Sequence, residues 1–524
     1  MRDRSLGLTL AVLTCLTAVS GCKVTSEDID HWTGTQKGPG KIVAVLLAPK
    51  YEDELREYAG LALVRMEPRP PSRGHEALDG VAELQAAVRR IPEEDRARLV
   101  DAMAEHLISM MRGEDTPQAS DEEGIPPLQI RAKDAAFLVL PYAGAEQQRA
   151  LREAIVDWFA ADFNGRNLAG NYSAEQVVRQ LGAPAASRLI HAMNARLPQQ
   201  ALVKVAELIA ALGDDPTKER AATRLVEIER EMESGEFTDW LKERLRTQLR
   251  VSRGEDTEIN EQQVEAAAVL NRENFITLGA LPAMKHLNSQ AVVQDRLLEI
   301  AQATTIEGLA PPKIVERRVK ALQALEGGVR QEQVGALLDL ALGEDNDMGI
   351  RDYAFDRVAD ARSREAIPRL WPIFQETTDW RVRWRVGTLI LTLGGADVVQ
   401  EFFTHLDDET YAQEELHGYG ERLSQMRPPP TDFIDGQLRS EAWQDRCVAL
   451  YYWQRRAEAA DLARITALEG DAAATQGEHW EEQNTVGKVA EAVAALVRTR
   501  LEQGNSGGSD SEEEEGGSEE GASE

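Results

Sequence analysis

The feature that most constrains the fold is a helical pattern that runs through nearly the whole chain. Between residues 40 and 500, stretches of 10 to 18 residues carry apolar positions at helical spacing, and short breaks rich in Gly, Pro, Asp or Asn separate them. The segments YEDELREYAGLALVRM and QQALVKVAELIAALGD show the pattern most plainly. No stretch alternates apolar and polar residues as a half-buried strand does. The sequence therefore predicts an all-α chain whose helices pair across short turns.

A short motif recurs within this helical pattern. An aspartate is followed three and four residues later by an aliphatic residue and an arginine, and then by a small or aliphatic residue one turn on, at 347–354 and 379–386. The two copies are 32 residues apart, and a related copy that starts with Glu52 occupies 52–59. The aspartate is expected to cap a helix, the aliphatic and small residues to face the core, and the arginine to lie at the edge of that face.

These motifs suggest a repeat family. Together with LGD at 212–214 and LGG at 393–395, which close such helices, they resemble HEAT and HEAT-like repeats over about two thirds of the chain, with a poor match at 236–305. The resemblance implies a right-handed α-solenoid of stacked antiparallel helix pairs, in which each pair buries its apolar face against its neighbours. The extended surface of such an array is expected to bind protein partners.

The N-terminus carries an export signal. Two arginines and an apolar run, shorter than the roughly 20 residues that span a bilayer, precede the quartet VSGC at 19–22. This quartet resembles the lipobox of bacterial lipoproteins, which implies that Cys22 is the first mature residue and carries the lipid that attaches the protein to a membrane. Lys23, where some lipoproteins have aspartate, implies the outer membrane of a Gram-negative bacterium, on its periplasmic or surface face. An ordinary secreted protein is the alternative.

These signals predict six segments along the chain. They are a lipoprotein signal peptide at 1–21, a tether at 22–37, N-terminal helical repeats at 38–112, a linker at 113–128, the HEAT-like α-solenoid at 129–502 and a disordered acidic tail at 503–524. The linker is the longest polar break and is therefore the expected hinge. Eight of the last 16 residues are acidic, a composition that cannot bury enough apolar surface to fold.

Charge and cysteine content limit the partners. The net charge of −31 argues against binding to nucleic acid and against adhesion to an anionic membrane surface, because both require a basic face. The expected contact with a membrane is therefore the lipid at Cys22.

Cleavage of the signal leaves Cys447 as the only unmodified thiol, which excludes an internal disulfide.

The chain offers little evidence of catalysis. HEALD at 75–79 has aspartate where a zinc-protease helix needs its second histidine, and GTQKGPGKI at 34–42 has the wrong glycine spacing for a phosphate-binding loop. Cys447 lies in a helical pattern and is expected to pack as a small apolar residue. We predict no catalytic residue, metal site, cofactor or small-molecule substrate. The alternative is an enzyme or enzyme accessory that binds a cofactor or chromophore, by analogy with HEAT-like chromophore lyases.

The candidate site for a protein partner lies on the helix that follows Asp379. Six of the nine tryptophans come after residue 370, and binding hot spots favour tryptophan and arginine. On this helix one apolar stripe faces the opposite way from a second stripe that contains two tryptophans, and arginines flank them. The predicted partner-binding residues are Trp380, Arg381, Trp384 and Arg385. The alternative is a central helix packed on both sides by neighbouring repeats. The predicted function is a non-catalytic, lipid-anchored envelope scaffold with an unidentified protein partner.

Overall fold

The computed structural model describes residues 23–71, 77–114, 124–254, 258–406 and 410–506, with side chains up to residue 503. Every regular element in these ranges is a helix, and the backbone pairs in strand fashion only at two isolated bridges, Arg69 to Leu78 and Ala474 to Thr485. The prediction of an all-α chain is confirmed. Cys22 and most of the predicted tail at 503–524 lie outside the described residues.

The chain forms two compact units, Met1–Val293 and Gln294–Glu524. The helices of the first unit are α1 Ser26–Thr33, α2 Gly38–Leu47, α3 Asp53–Arg65, α4 Gly80–Val88, α5 Glu93–Arg112, α6 Pro127–Val139, α7 Ala145–Ala161, α8 Phe163–Arg166, α9 Ala174–Leu181, α10 Ala183–Leu189, α11 Gln199–Leu212, α12 Asp215–Glu233, α13 Gly235–Arg253, α14 Glu261–Phe275 and α15 Leu281–His286. Helix α16, Ala291–Gln302, contains the boundary between the units. A π-helical turn, Ile276–Ala280, joins α14 to α15.

The helices of the second unit follow the same short-loop plan. They are α17 Pro311–Ala324, α18 Val334–Leu342, α19 Met348–Ala361, α20 Ile367–Glu376, α21 Trp380–Gly394, α22 Val399–Thr404, α23 Gln413–Ser424, α24 Thr431–Gln437, α25 Trp443–Arg456, α26 Leu462–Thr466 and α27 Val486–Ser506. Short 3₁₀ turns lie at Leu140–Tyr142, Ile190–Ala192, Gln331–Gln333, Arg364–Ala366, Gly395–Val398 and Ala459–Asp461.

The predicted linker at 113–128 does not mark a boundary between compact units. Helices α5 and α6, on either side of it, pack directly on each other. Arg131 of α6 also donates hydrogen bonds to the carbonyl oxygens of Val64 at 3.0 Å and Arg65 at 3.2 Å, at the end of α3. Because the flanking helices share one core, the polarity of the intervening sequence is a poor guide to domain structure here.

The predicted tether at 22–37 contains a helix. Thr25 and Asp28 form a capping box at the start of α1, in which the Thr25 hydroxyl accepts from the Asp28 backbone N–H and the Asp28 carboxylate accepts from that of Thr25. Ile29 is fully buried, and α1 packs against α2 and α3. A single buried apolar residue gives too weak a periodicity for the sequence to indicate this helix.

The repeated motif caps helices at two of its three positions. The Asp347 carboxylate accepts from the N–H of Gly349 at 2.8 Å, and the Asp379 carboxylate accepts from that of Arg381 at 3.0 Å. Glu52 precedes α3 but makes no such contact. The aliphatic and small positions of the motif are buried as expected, at Ile350, Ala354, Val382 and Val386.

The arginine of the motif has a specific role in two copies. Arg56 Nε donates to the carbonyl oxygen of Leu46 at 3.1 Å, and Arg351 Nε donates to that of Ala341 at 3.1 Å. In each case the carbonyl belongs to the last turn of the preceding helix, where backbone oxygens lack a partner within the helix. The arginine therefore joins the two helices of a pair.

Helices within each unit pack mainly on those nearest along the chain. Side-chain pairs between neighbouring helices also recur at similar sequence separations. In the second unit, Arg369–Asp339, Arg364–Asp397, Arg385–Asp352, Arg383–Glu415 and Arg455–Glu421 are separated by 30, 33, 33, 32 and 34 residues. These separations are close to the 32-residue spacing between the motif copies that start at Asp347 and Asp379.

Candidate functional site

The predicted partner-binding residues lie at the start of α21. The first apolar stripe of this helix, Val382, Val386, Leu389 and Leu393, is buried. The second stripe is buried at Gly387 and Leu391 but half-buried at Trp380 and Trp384. The alternative of a helix packed on both sides therefore describes the C-terminal half of α21, whereas its first turn lies partly at the surface.

Two glycines let α21 pack closely against its neighbours. A Cβ atom on Gly387 would lie 2.6 Å from Tyr419 Cε1 and 2.7 Å from Phe374 Cε2. A Cβ atom on Gly418, in α23, would lie 2.2 Å from Trp384 Nε1. That indole nitrogen is buried and has no hydrogen-bond acceptor among the described residues. The ring of Trp384 therefore packs against the backbone of α23.

The structure divides the four predicted residues into two pairs. Arg381 is exposed, and its guanidinium carbon lies 5.2 Å from the centroid of the Trp380 ring. Arg385 lies 5.6 Å from the centroid of Trp384 and forms ion pairs with Asp352 at 3.0 Å and Asp356 at 3.4 Å, both on α19. The first pair is available to a partner, whereas the second holds neighbouring helices together. The binding role of all four residues stays a prediction.

Trp380 borders an open cavity of about 520 Å³, which we call the Trp380 groove. Its lining comes from 375–378, Trp380, Arg383, 410–412 and 477–478. The groove thus joins the end of α20 and the start of α21 to the segment before α23 and to a loop before α27. Residues far apart in sequence meet here, at one end of the helix pair.

The loop before α27 forms one wall of the groove through backbone contacts. The Tyr411 N–H donates to the Gln476 carbonyl at 2.9 Å, and the indole N–H of Trp480 donates to the Tyr411 carbonyl at 2.6 Å. Gly477 has φ of +128°, and a Cβ atom there would lie 2.1 Å from the Tyr411 oxygen. Glycine is therefore required at position 477 for the loop to approach so closely.

His479 connects this wall to Trp380. Its ring lies edge-on to the Trp380 ring, with 5.9 Å between centroids, and His479 Nδ1 lies 2.7 Å from Glu414 Oε2. The hydrogen bond to Glu414 and the charge of that carboxylate raise the pKa of the His479 imidazole. Protonation of His479 therefore strengthens the contact between the loop and α23.

A buried ion pair forms the floor of the groove. Arg383 Nε lies 2.6 Å from Glu415 Oε1, and Arg383 Nη2 lies 3.0 Å from Glu415 Oε2 and 3.0 Å from the Thr410 carbonyl. The Tyr419 hydroxyl lies 2.9 Å from Glu415 Oε1. Burial opposes the charge on Arg383, but hydrogen bonds to the Glu415 carboxylate outweigh it and hold the pKa of Arg383 above its usual range. The floor is therefore a rigid, charged network.

The groups at the groove are of kinds that bind protein segments. A half-buried indole, an exposed guanidinium and backbone carbonyls are groups that commonly contact protein segments. Cys447 is fully buried, and burial raises the pKa of its thiol, so it is a poor nucleophile. Among the described residues, no three His, Cys, Asp or Glu side chains are placed to hold a metal ion.

Comparison with known proteins gives no family assignment. No family model matches the chain, and no curated protein matches it in sequence. In the part of the chain that the structure describes, one helical stretch, Trp380–Thr404, is long and apolar enough to cross a membrane by length and composition. Most of its apolar window is buried inside the protein, as in the core helix of a soluble domain, so this is weak evidence for a membrane span.

Sequence reasoning missed the polar half of the groove. Arg383 is one of the arginines that flank the stripes of this helix in the sequence, but it is not among the predicted binding residues, and neither are its partner Glu415 and the wall residue His479. One signal was present for the first pair, because Glu415 follows Arg383 by 32 residues, the spacing of the repeated motif. No comparable signal exists for His479, which lies outside any helix and 65 residues from Glu414.

Proposed function

We propose that this chain is a lipid-anchored scaffold of the cell envelope that holds a segment of a protein partner in the Trp380 groove. The groove is the observation that carries the proposal. It combines an accessible indole, a stacked arginine and a rigid floor, and tryptophan and arginine on a rigid base dominate the binding energy of many protein interfaces. The net charge of −31 disfavours nucleic acid as the partner.

The proposed architecture is a stack of HEAT-like helix pairs within each unit, arranged as a right-handed α-solenoid. Packing between helices that are near in sequence supports it, because solenoid repeats contact mainly their neighbours. The recurrence of side-chain pairs at 30 to 34 residues also supports it, because equivalent positions of successive repeats meet at that separation.

The proposed membrane attachment is a lipid on Cys22. The quartet VSGC supports it, as does the position of α1, which begins at Ser26 and so would lie close to the membrane. Growth with a labelled fatty acid tests the anchor. We expect label on the wild type and on Cys447→Ala, in which the anchor is intact, and no label on Cys22→Ser. Label that persists on Cys22→Ser would contradict the lipoprotein assignment.

Site-specific cross-linking tests the partner. A photoreactive residue at position 381, beside the groove, should give a cross-linked protein in the native membrane, and Trp380→Ala should abolish that product. The matched control places the same residue at position 364, where the exposed Arg364 pairs with Asp397 away from the groove. A product from 381 that survives Trp380→Ala, or the absence of any product from 381, would contradict the proposed site.

A further inference from the structure

A second surface suited to binding lies in the unit Met1–Val293, on helix α13. Leu241, Arg244, Leu245 and Gln248 are spaced three or four residues apart and so lie on one face of this helix. They line a cavity of about 210 Å³ together with residues at the start of α11 and at the end of α14. We define the Trp240 face as this cavity together with Trp240, Arg196 and Arg244.

The base of the Trp240 face is a cluster of aromatic rings. The Trp240 ring lies 5.2 Å from the ring of Phe237 and 6.2 Å from that of Phe275, measured between centroids. Both phenylalanines are buried, whereas Trp240 is half-buried. Rings packed in this way hold the exposed part of Trp240 in a fixed position, which lowers the entropy that binding would cost.

Two arginines border the exposed part of this ring. The guanidinium carbons of Arg196 and Arg244 each lie 5.5 Å from the Trp240 centroid, within the range of a cation–π contact. Both side chains are exposed. Arg196 comes from the loop before α11 and Arg244 from α13, so two separate segments place positive charge on one tryptophan.

These arginines differ from Lys242 and Arg246, two other cations of α13. Lys242 pairs with Glu265 at 2.5 Å, and Arg246 pairs with Glu261 at 2.6 Å. In the described part of the chain, no carboxylate oxygen lies within 4.0 Å of a guanidinium nitrogen of Arg196 or Arg244, the distance that defines an ion pair. In a chain with 90 acidic and 59 basic residues, two arginines beside one ring that have no carboxylate partner among the described residues are a distinct local charge. That charge suits them to bind a carboxylate of another molecule.

We propose that the Trp240 face binds an acidic segment of a partner protein. Glutamate or aspartate side chains would pair with Arg196 and Arg244, and a large apolar side chain would enter the cavity beside Leu241 and Phe275. Arginine binds carboxylates through two parallel hydrogen bonds, and its position over an aromatic ring restricts its motion before binding. The acidic surface elsewhere repels such a segment, so the two arginines determine where it binds.

This inference rests on the proposed scaffold role but not on the Trp380 groove, because the two sites belong to different units. The test is fluorescence anisotropy of the full-length protein with a labelled peptide in which glutamates alternate with leucines. The double variant Arg196→Glu and Arg244→Glu should weaken binding by at least about 100-fold. Both side chains are exposed, so the variant should melt at the wild-type temperature.

Two controls make the result specific. The double variant Arg250→Glu and Arg253→Glu makes the same charge change at two other exposed positions of α13, outside the face, and should leave binding within a factor of about three. A peptide with glutamine in place of glutamate should not bind the wild type. Equal binding of the two peptides, no binding of the glutamate peptide, or unchanged affinity in the double variant would overturn the proposal. If the peptide test fails but position 381 still gives its cross-link, the proposal for the Trp240 face is wrong and the proposal for the Trp380 groove stands.

Discussion

Arg383 and Glu415 form a bidentate ion pair in the interior of the second unit, with Nε to Oε1 at 2.6 Å and Nη2 to Oε2 at 3.0 Å. The two side chains are 7 % and 0 % exposed. They lie 32 residues apart, and the pair connects α21 to α23. The pair also forms the floor of the Trp380 groove, so the packing of these two helices supports the proposed binding site.

Loss of Arg383 should destabilise the second unit strongly. Arg383→Met would leave the Glu415 carboxylate buried without a counter-charge, and we expect the free energy of unfolding to fall by about 3 to 5 kcal/mol. Denaturant unfolding followed by circular dichroism measures this. The matched control is Arg364→Met, which breaks the exposed Arg364–Asp397 pair and should cost less than about 1 kcal/mol.

A compensating change tests the cause. The double variant Arg383→Met with Glu415→Leu removes both charges and should recover much of the stability lost in Arg383→Met. An Arg383→Met protein as stable as the wild type, or a double variant less stable than the single one, would show that the pair is not what holds these helices together.

Much of the helical architecture could be predicted because its determinants are local. Periodicity over one helix is visible in the sequence, and aspartates such as Asp347 and Asp379 cap the helices that they precede. The boundaries of compact units depend instead on contacts between segments that are distant in sequence. Arg131 binds carbonyls at the end of α3, and that contact, invisible in the sequence, joins the helices across the predicted linker at 113–128.

The candidate site could be predicted only in part for the same reason. Trp380 and Arg381 stand out by residue type, and the structure places Trp380 at an accessible groove with Arg381 over its ring. Trp384 is the same residue type one turn further along the helix, but its indole packs on Gly418. That contact depends on how the neighbouring helices are placed, which the sequence does not reveal. The loop that carries His479 has no periodicity, so its contact with Trp380 required the structure.

The packing of Trp384 on α23 predicts an unusual glycine effect. Alanine in place of a helical glycine normally stabilises a protein by about 0.4 to 1 kcal/mol. Gly418→Ala should instead lower the melting temperature, because its Cβ atom would lie 2.2 Å from Trp384 Nε1. Gly436→Ala in α24 is the matched control and should stabilise, since that Cβ atom has no neighbour within 4 Å. Equal shifts for both variants would contradict the packing of Trp384.

A buried lysine should fix the loop that follows α8. Lys133 Nζ is fully buried and lies 2.5 Å from Asp134 Oδ1, 2.9 Å from the Ala169 carbonyl and 2.7 Å from the Tyr172 carbonyl. Lys133→Met would leave these acceptors unpaired, so we expect a loss of about 3 to 5 kcal/mol and faster amide exchange at 169–172.

The comparison for this variant is Lys204→Met. Lys204 pairs with Glu175 at 2.7 Å but is partly exposed, so its loss should cost less than about 1 kcal/mol. Hydrogen exchange measured by mass spectrometry distinguishes the two. Unchanged exchange at 169–172 in Lys133→Met would show that the lysine does not hold this loop.

The wall of the Trp380 groove should respond to pH through His479. The contact with Glu414 raises the pKa of His479 in the folded protein. The contact therefore stabilises the loop fully at pH values below the ordinary histidine pKa of about 6.5. That stabilisation is lost as pH rises through the higher folded-state pKa. NMR titration of the imidazole, assigned with His479→Asn, should give a pKa above 6.5 that falls in Glu414→Gln. A His479 pKa unchanged by Glu414→Gln would contradict this contact.

The binding role of the Trp380 groove is tested most directly by measuring affinity. The partner identified by cross-linking is purified and titrated against the full-length protein. Trp380→Ala should weaken the affinity by about 30-fold or more with little change in melting temperature. Trp32→Ala is the matched control, because Trp32 is also half-buried with a cation over its ring, Lys41 at 5.1 Å, and belongs to the other unit. Wild-type affinity in Trp380→Ala, or equal losses in the two variants, would contradict a scaffold that holds its partner through this groove.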